Sequence, residues 1–112
     1  MYTMHTIIET DHFVSLAKKL LSKAEHDNLI ETLSCDPKAG DLMPGTGGFR
    51  KLRLAREGEG KSGGYRVVYF FYHLGVPLYL VSIYAKNQKE NLTKDQRNAL
   101  AALAGTIKQE SY

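Results

Sequence analysis

With 112 residues, 43% of them apolar and 24% charged, the chain is long enough for one domain with a real core, too short for two, and too hydrophobic for disorder. A net charge of +3 is basic but mild, so the total identifies no nucleic-acid partner and the distribution of charge has to be read instead. One cysteine, Cys35, excludes an internal disulfide, and no run approaches the roughly 18 consecutive apolar residues of a membrane span.

The opening MYTMHTIIETDH lacks the basic start and apolar run of a signal peptide, so the expectation is a cytoplasmic protein in a reducing compartment, away from membranes. Residues 4–9 are β-prone. Asp11 can cap a helix in which Phe13, Leu16, Ala17, Leu20 and Leu21 form one apolar stripe at helical spacing. SKAE, at residues 22–25, matches a capping box, so Ser22 ends that helix and starts a second with Leu29, Ile30 and Leu33 on its buried face. Asp36 and Pro37 stop it, giving two short antiparallel helices.

Residues 36–48, DPKAGDLMPGTGG, read as a loop. Three β-runs follow at residues 49–55, 64–73 and 78–85, joined by REGEGKSG and the tight LGVP. TKDQ, at residues 93–96, is another capping box and opens a helix with Leu100, Leu103, Ala104 and Ile107 on one side. The predicted order is β-α-α-β-β-β-α, an α+β fold. It has a mostly antiparallel sheet of about four strands, two N-terminal helices and one C-terminal helix, all in a single domain over residues 1–112.

Two familiar chemistries are poorly served. GEGKSGG resembles part of a phosphate-binding loop, but the position that needs the first glycine is Ala55, and the strand YRVVYFFY follows where a helix is required. His5, His12, His26 and His73 are scattered over different elements, which leaves no metal-ligand spacing and no pair of histidines for RNA cleavage.

The cations are better organised. Acids gather in the N-terminal third (Glu9, Asp11, Glu25, Asp27, Glu31, Asp36), whereas Arg50, Lys51, Arg53, Arg56, Lys61 and Arg66 crowd the middle. In FRKLRLA, alternation puts Leu52 and Leu54 on one face of the strand and Lys51 with Arg53 on the other. In YLVSIYAK, Val81 and Ile83 face one way and Ser82, Tyr84 and Lys86 the other. An antiparallel sheet then gathers Lys51, Arg53, Arg66, Tyr84 and Lys86 over one face. Such a set suits a polyanion, with phosphates on Arg and Lys and a base on an aromatic ring. The competing reading is a set of solubilising charges on the open face of a sheet. The scarcity of acids between the cations favours a site.

The RKLR strand, the GKSGGYRV approach to the central strand and the YAKNQKENLT exit toward the last helix resemble the RelE/ParE superfamily of type II toxins. The HigB-like branch is the nearest. The likeness spans nearly the whole chain and implies a β-α-α-β-β-β-α toxin that enters a translating ribosome and cuts the mRNA codon. It implies a metal-independent endoribonuclease needing no cofactor, partnered by the ribosome, mRNA and a cognate antitoxin with a helix-turn-helix. By position, Lys51 and Arg53 match the family's paired basic residues, Arg66 its arginine after the GY pair, and Lys86 the basic residue after the last strand. Arg50, Arg56, Lys61 and Asn87 fall where further RNA contacts are expected. The tyrosine that the RelE branch carries before the last helix is missing from KENLT, and Tyr84 is the substitute.

The residues suit that chemistry. Metal-free cleavage uses the ribose 2′-oxygen to attack phosphorus, leaving a 2′,3′-cyclic phosphate and a 5′-hydroxyl, and fixed cations stabilise the charge that builds up. Lysine is a poor base at its free pKa of about 10.4, but neighbouring like charges lower it. Lys51 or Lys86 is then the candidate base, Arg66 the phosphate clamp, and Arg53 a clamp or proton donor. Two other functions fit the same fold: a ParE-like inhibitor of DNA gyrase and a nucleic-acid-binding domain without catalysis. A blocking antitoxin would sit on the cationic face or on the N-terminal helices, beside Glu25, Asp27 and Glu31.

Overall fold

The computed structural model describes residues 6–56, 64–86 and 92–110. Along the chain run β1 (Ile7–Glu9), α1 (Asp11–Leu20), α2 (Lys23–Cys35), β2 (Asp41–Leu42), β3 (Phe49–Leu54), β4 (Tyr65–Phe70), β5 (Leu78–Ala85) and α3 (Lys94–Glu110). The five strands form one sheet in the order β1-β5-β4-β3-β2. All neighbours are antiparallel except β1, which lies parallel to β5. The α+β expectation holds, with one strand more than expected. That strand, β2, has two exposed residues inside the predicted loop and pairs Asp41 with Lys51 and Leu42 with Arg50. Two residues carry no alternation, so backbone pairing made a strand that patterning could not show.

Each face of the sheet carries its own core. On one side Phe13 and Ala17 of α1 and Leu29 and Leu33 of α2 pack against Leu54, Tyr65, Val67, Tyr69, Leu78, Leu80 and Ile83. On the other, Ala104, Leu100 and Ile107 of α3 cover Phe49, Val68 and Phe70. The rings of Phe49 and Phe70 lie 5.0 Å apart between centroids. β4, the central strand, is buried along its whole length because both faces are covered.

The helix starts follow from local hydrogen bonding. Thr10, not Asp11, caps α1: its hydroxyl accepts from Phe13 N–H at 3.3 Å and donates to the Leu80 carbonyl at 2.8 Å. That second bond anchors the cap to β5, which Asp11, one residue on, does not do. Ser22 and Glu25 form the expected capping box, as do Thr93 and Gln96. A cap of this kind contributes about 1 kcal/mol. Glu25 is consequently buried and engaged, so of the α2 acids proposed for a partner it is not available.

Two further side chains differ from expectation. Leu103 is 41% exposed, because the buried stripe of α3 is the narrower one through Leu100, Ala104 and Ile107. Val81 joins the α3-side core while Ile83 joins the other. The cause is an irregularity at Val68/Tyr69, whose partners are Ser82 and Leu80, so Val81 is the extra residue and alternation is broken there. Two tyrosines stitch the helices to the sheet. Tyr69 donates to the Pro37 carbonyl at 2.8 Å and accepts from Gly40 N–H at 2.9 Å, and Tyr65 donates to the Leu20 carbonyl at 2.8 Å. Among the described residues, no helix is long and apolar enough to cross a membrane.

Candidate functional site

Antiparallel registers decide which cations meet. Arg53 on β3 is directly opposite Arg66 on β4, and Arg66 is directly opposite Tyr84 on β5. Directly paired residues share a face, so the three side chains form a row across the middle of the sheet. Lys51, two residues from Arg53 along β3, lies on the same face opposite Val68. This is the α3 face, but α3 packs over the Phe49 and Phe70 end of it, and the row crosses the other end.

The row is electrostatically uneconomical for a merely structural surface. Like charges directly opposite each other across a strand pair are destabilising. Arg66 is also only 9% exposed, and the hydrogen bond from its Nη1 goes to the neighbouring Tyr65 carbonyl at 3.2 Å rather than to a carboxylate. Among the described residues, none of Lys51, Arg53, Arg66 and Lys86 takes part in an ion pair; the pairs present involve Lys23 and His26. A buried cation without a counter-charge is held at a desolvation penalty that an external anion would relieve.

Tyr84 is half-buried beside this charge. Burial pushes its phenol above the ordinary value of 10.0, and the Arg66 guanidinium opposes that shift more weakly. The hydroxyl is a protonated hydrogen-bond donor at neutral pH; burial makes its proton harder to remove, and the Arg66 guanidinium partly offsets this. Gly64 fixes the start of β4: a Cβ there would stand 2.1 Å from the Leu54 carbonyl oxygen, so only glycine lets the strands close up at this end. Its own carbonyl accepts from Lys86 N–H at 3.1 Å, which ties exposed Lys86 to the Arg66 end of the sheet.

The other expected contacts divide. Arg50 lies on the opposite face, paired with Tyr69, and its Nη1 donates to the Gly40 carbonyl at 2.8 Å and the Lys38 carbonyl at 3.4 Å. It fastens the chain before β2 rather than joining the row. Arg56 is exposed, with its guanidinium 5.9 Å from the centre of the Tyr65 ring, which belongs to the α1–α2 core. Lys61 and Asn87 lie outside the described residues.

Two residues not anticipated from the sequence adjoin the row. A cleft of about 290 Å³ is walled by Lys51 and Tyr84 from the sheet, Asp41 from β2, and Arg97 near the start of α3. Arg97 Nη1 donates to the Leu92 carbonyl at 3.0 Å, which holds it at the cleft. Helical spacing through Leu100 and Ala104 runs back to Arg97, so the signal was present in the periodicity. Asp41 had none, since its strand was invisible.

Among the described residues, no three His, Cys, Asp or Glu side chains are grouped to hold a metal ion. Residues 5–111 match the family described as the RelE toxin of the RelE/RelB toxin-antitoxin system. A match over nearly the full length, on a fold of this strand order with a cationic row at one end, assigns the chain to the RelE toxin family.

Proposed function

We propose that this toxin is a cytoplasmic, ribosome-dependent mRNA interferase of the HigB-like branch, cutting the codon exposed in the decoding site. The observation that carries the reading is the Arg53–Arg66–Tyr84 row. Two cations face each other across a strand pair, one of them nine-tenths buried, and among the described residues no carboxylate is paired with either. Such an arrangement is costly unless an anion completes it, and RNA phosphate is an anion whose geometry guanidinium donors match.

In the reaction, the ribose 2′-oxygen attacks the adjacent phosphorus as its proton leaves to a base, Lys51 or Lys86. The phosphorane gathers negative charge on its non-bridging oxygens, where Arg66 and Arg53 donate. The bond to the 5′-oxygen breaks as that oxygen takes a proton, from Tyr84 or Arg53. Products are a 2′,3′-cyclic phosphate and a 5′-hydroxyl. Between them, Tyr84 is the better donor, because arginine holds its proton at any ordinary pH. The ribosome contributes by holding the 2′-oxygen in line with the leaving oxygen, so free RNA is cut poorly. The partner is the cognate antitoxin, a small protein with a DNA-binding helix-turn-helix.

The test is translation of a reporter mRNA with the purified protein, followed by end-group analysis. Codon-positioned cuts with cyclic-phosphate ends support the proposal. Intact mRNA with inhibited gyrase supercoiling supports the ParE-like function, and RNA retention without cutting supports a binding domain.

A further inference from the structure

We infer that the free edge of β1 receives an extended, lysine- and arginine-bearing segment of a ribosomal protein as an added strand. The ribosomal source rests on the ribosome-dependent reading; the edge itself does not.

The backbone decides which groups are free. The Thr6 carbonyl accepts from Leu78 N–H at 2.9 Å and Thr10 N–H donates to the Leu80 carbonyl at 3.1 Å, so Thr6, Ile8 and Thr10 turn their main-chain groups toward β5. Ile7 and Glu9 turn theirs outward, and among the described residues nothing pairs with those N–H and C=O groups. β1 is short, yet it carries none of the lysine, proline or bulge by which sheets close their edges. Ile8 adds an apolar side chain, 40% exposed, at the same edge. A strand laid along β1 would satisfy the outward groups and cover Ile8.

The seat has a sign. On the α2 side the edge opens into a hollow of about 530 Å³, within the range of binding pockets, about 300–1,000 Å³. Glu9, Asp27 and Glu31 line it with His26 and Ile30, and among the described residues its lining holds no lysine or arginine. Glu9 meets His26 at 2.6 Å and Asp27 meets Lys23 in an exposed pair, but among the described residues Glu31 takes part in no ion pair. Ile7 packs on the α1–α2 core, so the side chains of Ile7 and Glu9 share the face of the hollow and Ile8 lies on the other. Alternation along an added strand sends one set of side chains into the hollow and the next toward Ile8. Basic and apolar residues in turn are the fitting pattern.

That pattern selects the occupant. A second copy joined edge to edge would bring the same acids of both copies together, which like charge disfavours. Protein segments that thread among RNA phosphates are extended and rich in lysine and arginine, the chemistry the hollow complements. Docking there leaves the row free. β1 lies beside Leu78 and Leu80 of β5, whereas the row crosses Tyr84, and the hollow is on the α1–α2 face rather than the α3 face.

Two measurements test this. The isolated protein is titrated with a short synthetic peptide of alternating lysine and valine, and with its glutamate–valine counterpart, while amide exchange is followed by NMR. The lysine peptide should bind more tightly and slow the exchange of the Ile7 and Glu9 amides at least tenfold. Glu31→Lys, a change at an exposed side chain, should weaken that binding at least threefold at low salt. Equal binding of the two peptides, binding that leaves those amides unprotected, or a Glu31→Lys protein that binds as the wild type does overturns the inference. Separately, the chain carrying a photoreactive amino acid at position 8 is bound to ribosomes programmed with mRNA and irradiated. The crosslink should fall in a ribosomal protein, within a segment rich in lysine or arginine. A crosslink to RNA alone, or none, overturns the ribosomal source. Because the titration needs neither ribosome nor cleavage, a wild type that leaves translated mRNA intact rejects the interferase reading while the titration still decides the edge.

Discussion

Arg66 and Tyr84 stand directly opposite each other on β4 and β5, with Arg53 completing the row on the far side of Arg66. The pair joins a nearly buried cation to a half-buried phenol, protonated at neutral pH, whose ionisation burial opposes further. On the proposed reading, a phosphate drawn to the guanidinium arrives beside a neutral O–H donor, which a leaving oxygen can use. The two groups also adjust each other. The cation makes the phenol easier to ionise than burial alone would allow, and the phenol offers the cation no negative charge at neutral pH.

Replacing Arg66 with alanine should abolish toxicity and mRNA cleavage, a loss of at least about 100-fold, the order of a single missing transition-state donor. Stability should not fall with it, since the change removes a buried cation that among the described residues has no carboxylate partner. Arg66→Lys should recover only part of the activity because a point charge lacks the forked donors. Growth arrest at matched expression and a thermal melt check both statements. A fully toxic Arg66→Ala protein would remove this residue from the site.

Tyr84 separates proton donation from stacking. Tyr84→Phe keeps the ring and removes the O–H; if the phenol gives the proton, cleavage should fall by about 10²–10⁴-fold. Tyr84→Ala should fall further. The stability of the fold carries a matching sign. The folded-state value is raised above the unfolded 10.0, so the unfolded chain loses this proton first as pH rises. The contribution is complete below about pH 10 and is lost as pH climbs through the folded value. Tyr69, raised mainly by burial, acts in the same direction. Denaturant midpoints above pH 10 should therefore drop more steeply for the wild type than for Tyr84→Phe, and parallel curves would contradict the assignment.

Arg50 should behave as a structural residue. Its Nη1 hydrogen bonds go to the Gly40 and Lys38 carbonyls on the face away from the row, and among the described residues its buried Nε has no hydrogen-bond partner. Arg50→Ala should cost about 1–3 kcal/mol of stability, the range for charged hydrogen bonds lost at a part-buried site. The protein that remains folded should cut mRNA at close to the wild-type rate. A large fall in cleavage at unchanged stability would instead return Arg50 to the RNA-binding set.

What could be read from the sequence was whatever repeats along an element. Period-two alternation through Lys51 and Arg53 put both on one face, and the stripes of α1 and α2 matched the core that forms. Both capping boxes are present as bonded pairs. What could not be read depended on pairing between distant segments. Nothing within residues 41–42 announces β2, so Asp41 stayed hidden in a loop. The same alternation already separated Arg50 from Lys51 and Arg53, but its bond to the Gly40 carbonyl depends on a distant segment and could not be read. Val81 changed sides because the irregularity is set by the match between β4 and β5, which neither strand encodes alone.

The family implies an antitoxin, and the charge layout narrows where it binds. The cationic row attracts an acidic segment, and covering it would block substrate directly. The helical side offers less than its acids suggest. Glu25 is buried in a capping box, Asp27 already meets Lys23 at 3.4 Å, and Glu9 meets His26 at 2.6 Å. Complementary charge at a desolvated cluster governs both on-rate and the cost of truncation. The expected antitoxin is therefore a small protein that buries Arg53 and Arg66 under acidic side chains with nanomolar affinity. Tyr84→Ala, which keeps both arginines and should be too weak a nuclease to arrest growth, can be tagged and expressed in native cells to recover it in stoichiometric amount. Arg53→Ala and Lys51→Ala should each weaken the complex at least tenfold and make it less sensitive to salt, whereas Glu31→Gln should leave it unchanged. A complex indifferent to the cationic changes and sensitive to Glu31→Gln would move the antitoxin to the helical side, where it could still bar the ribosome by bulk.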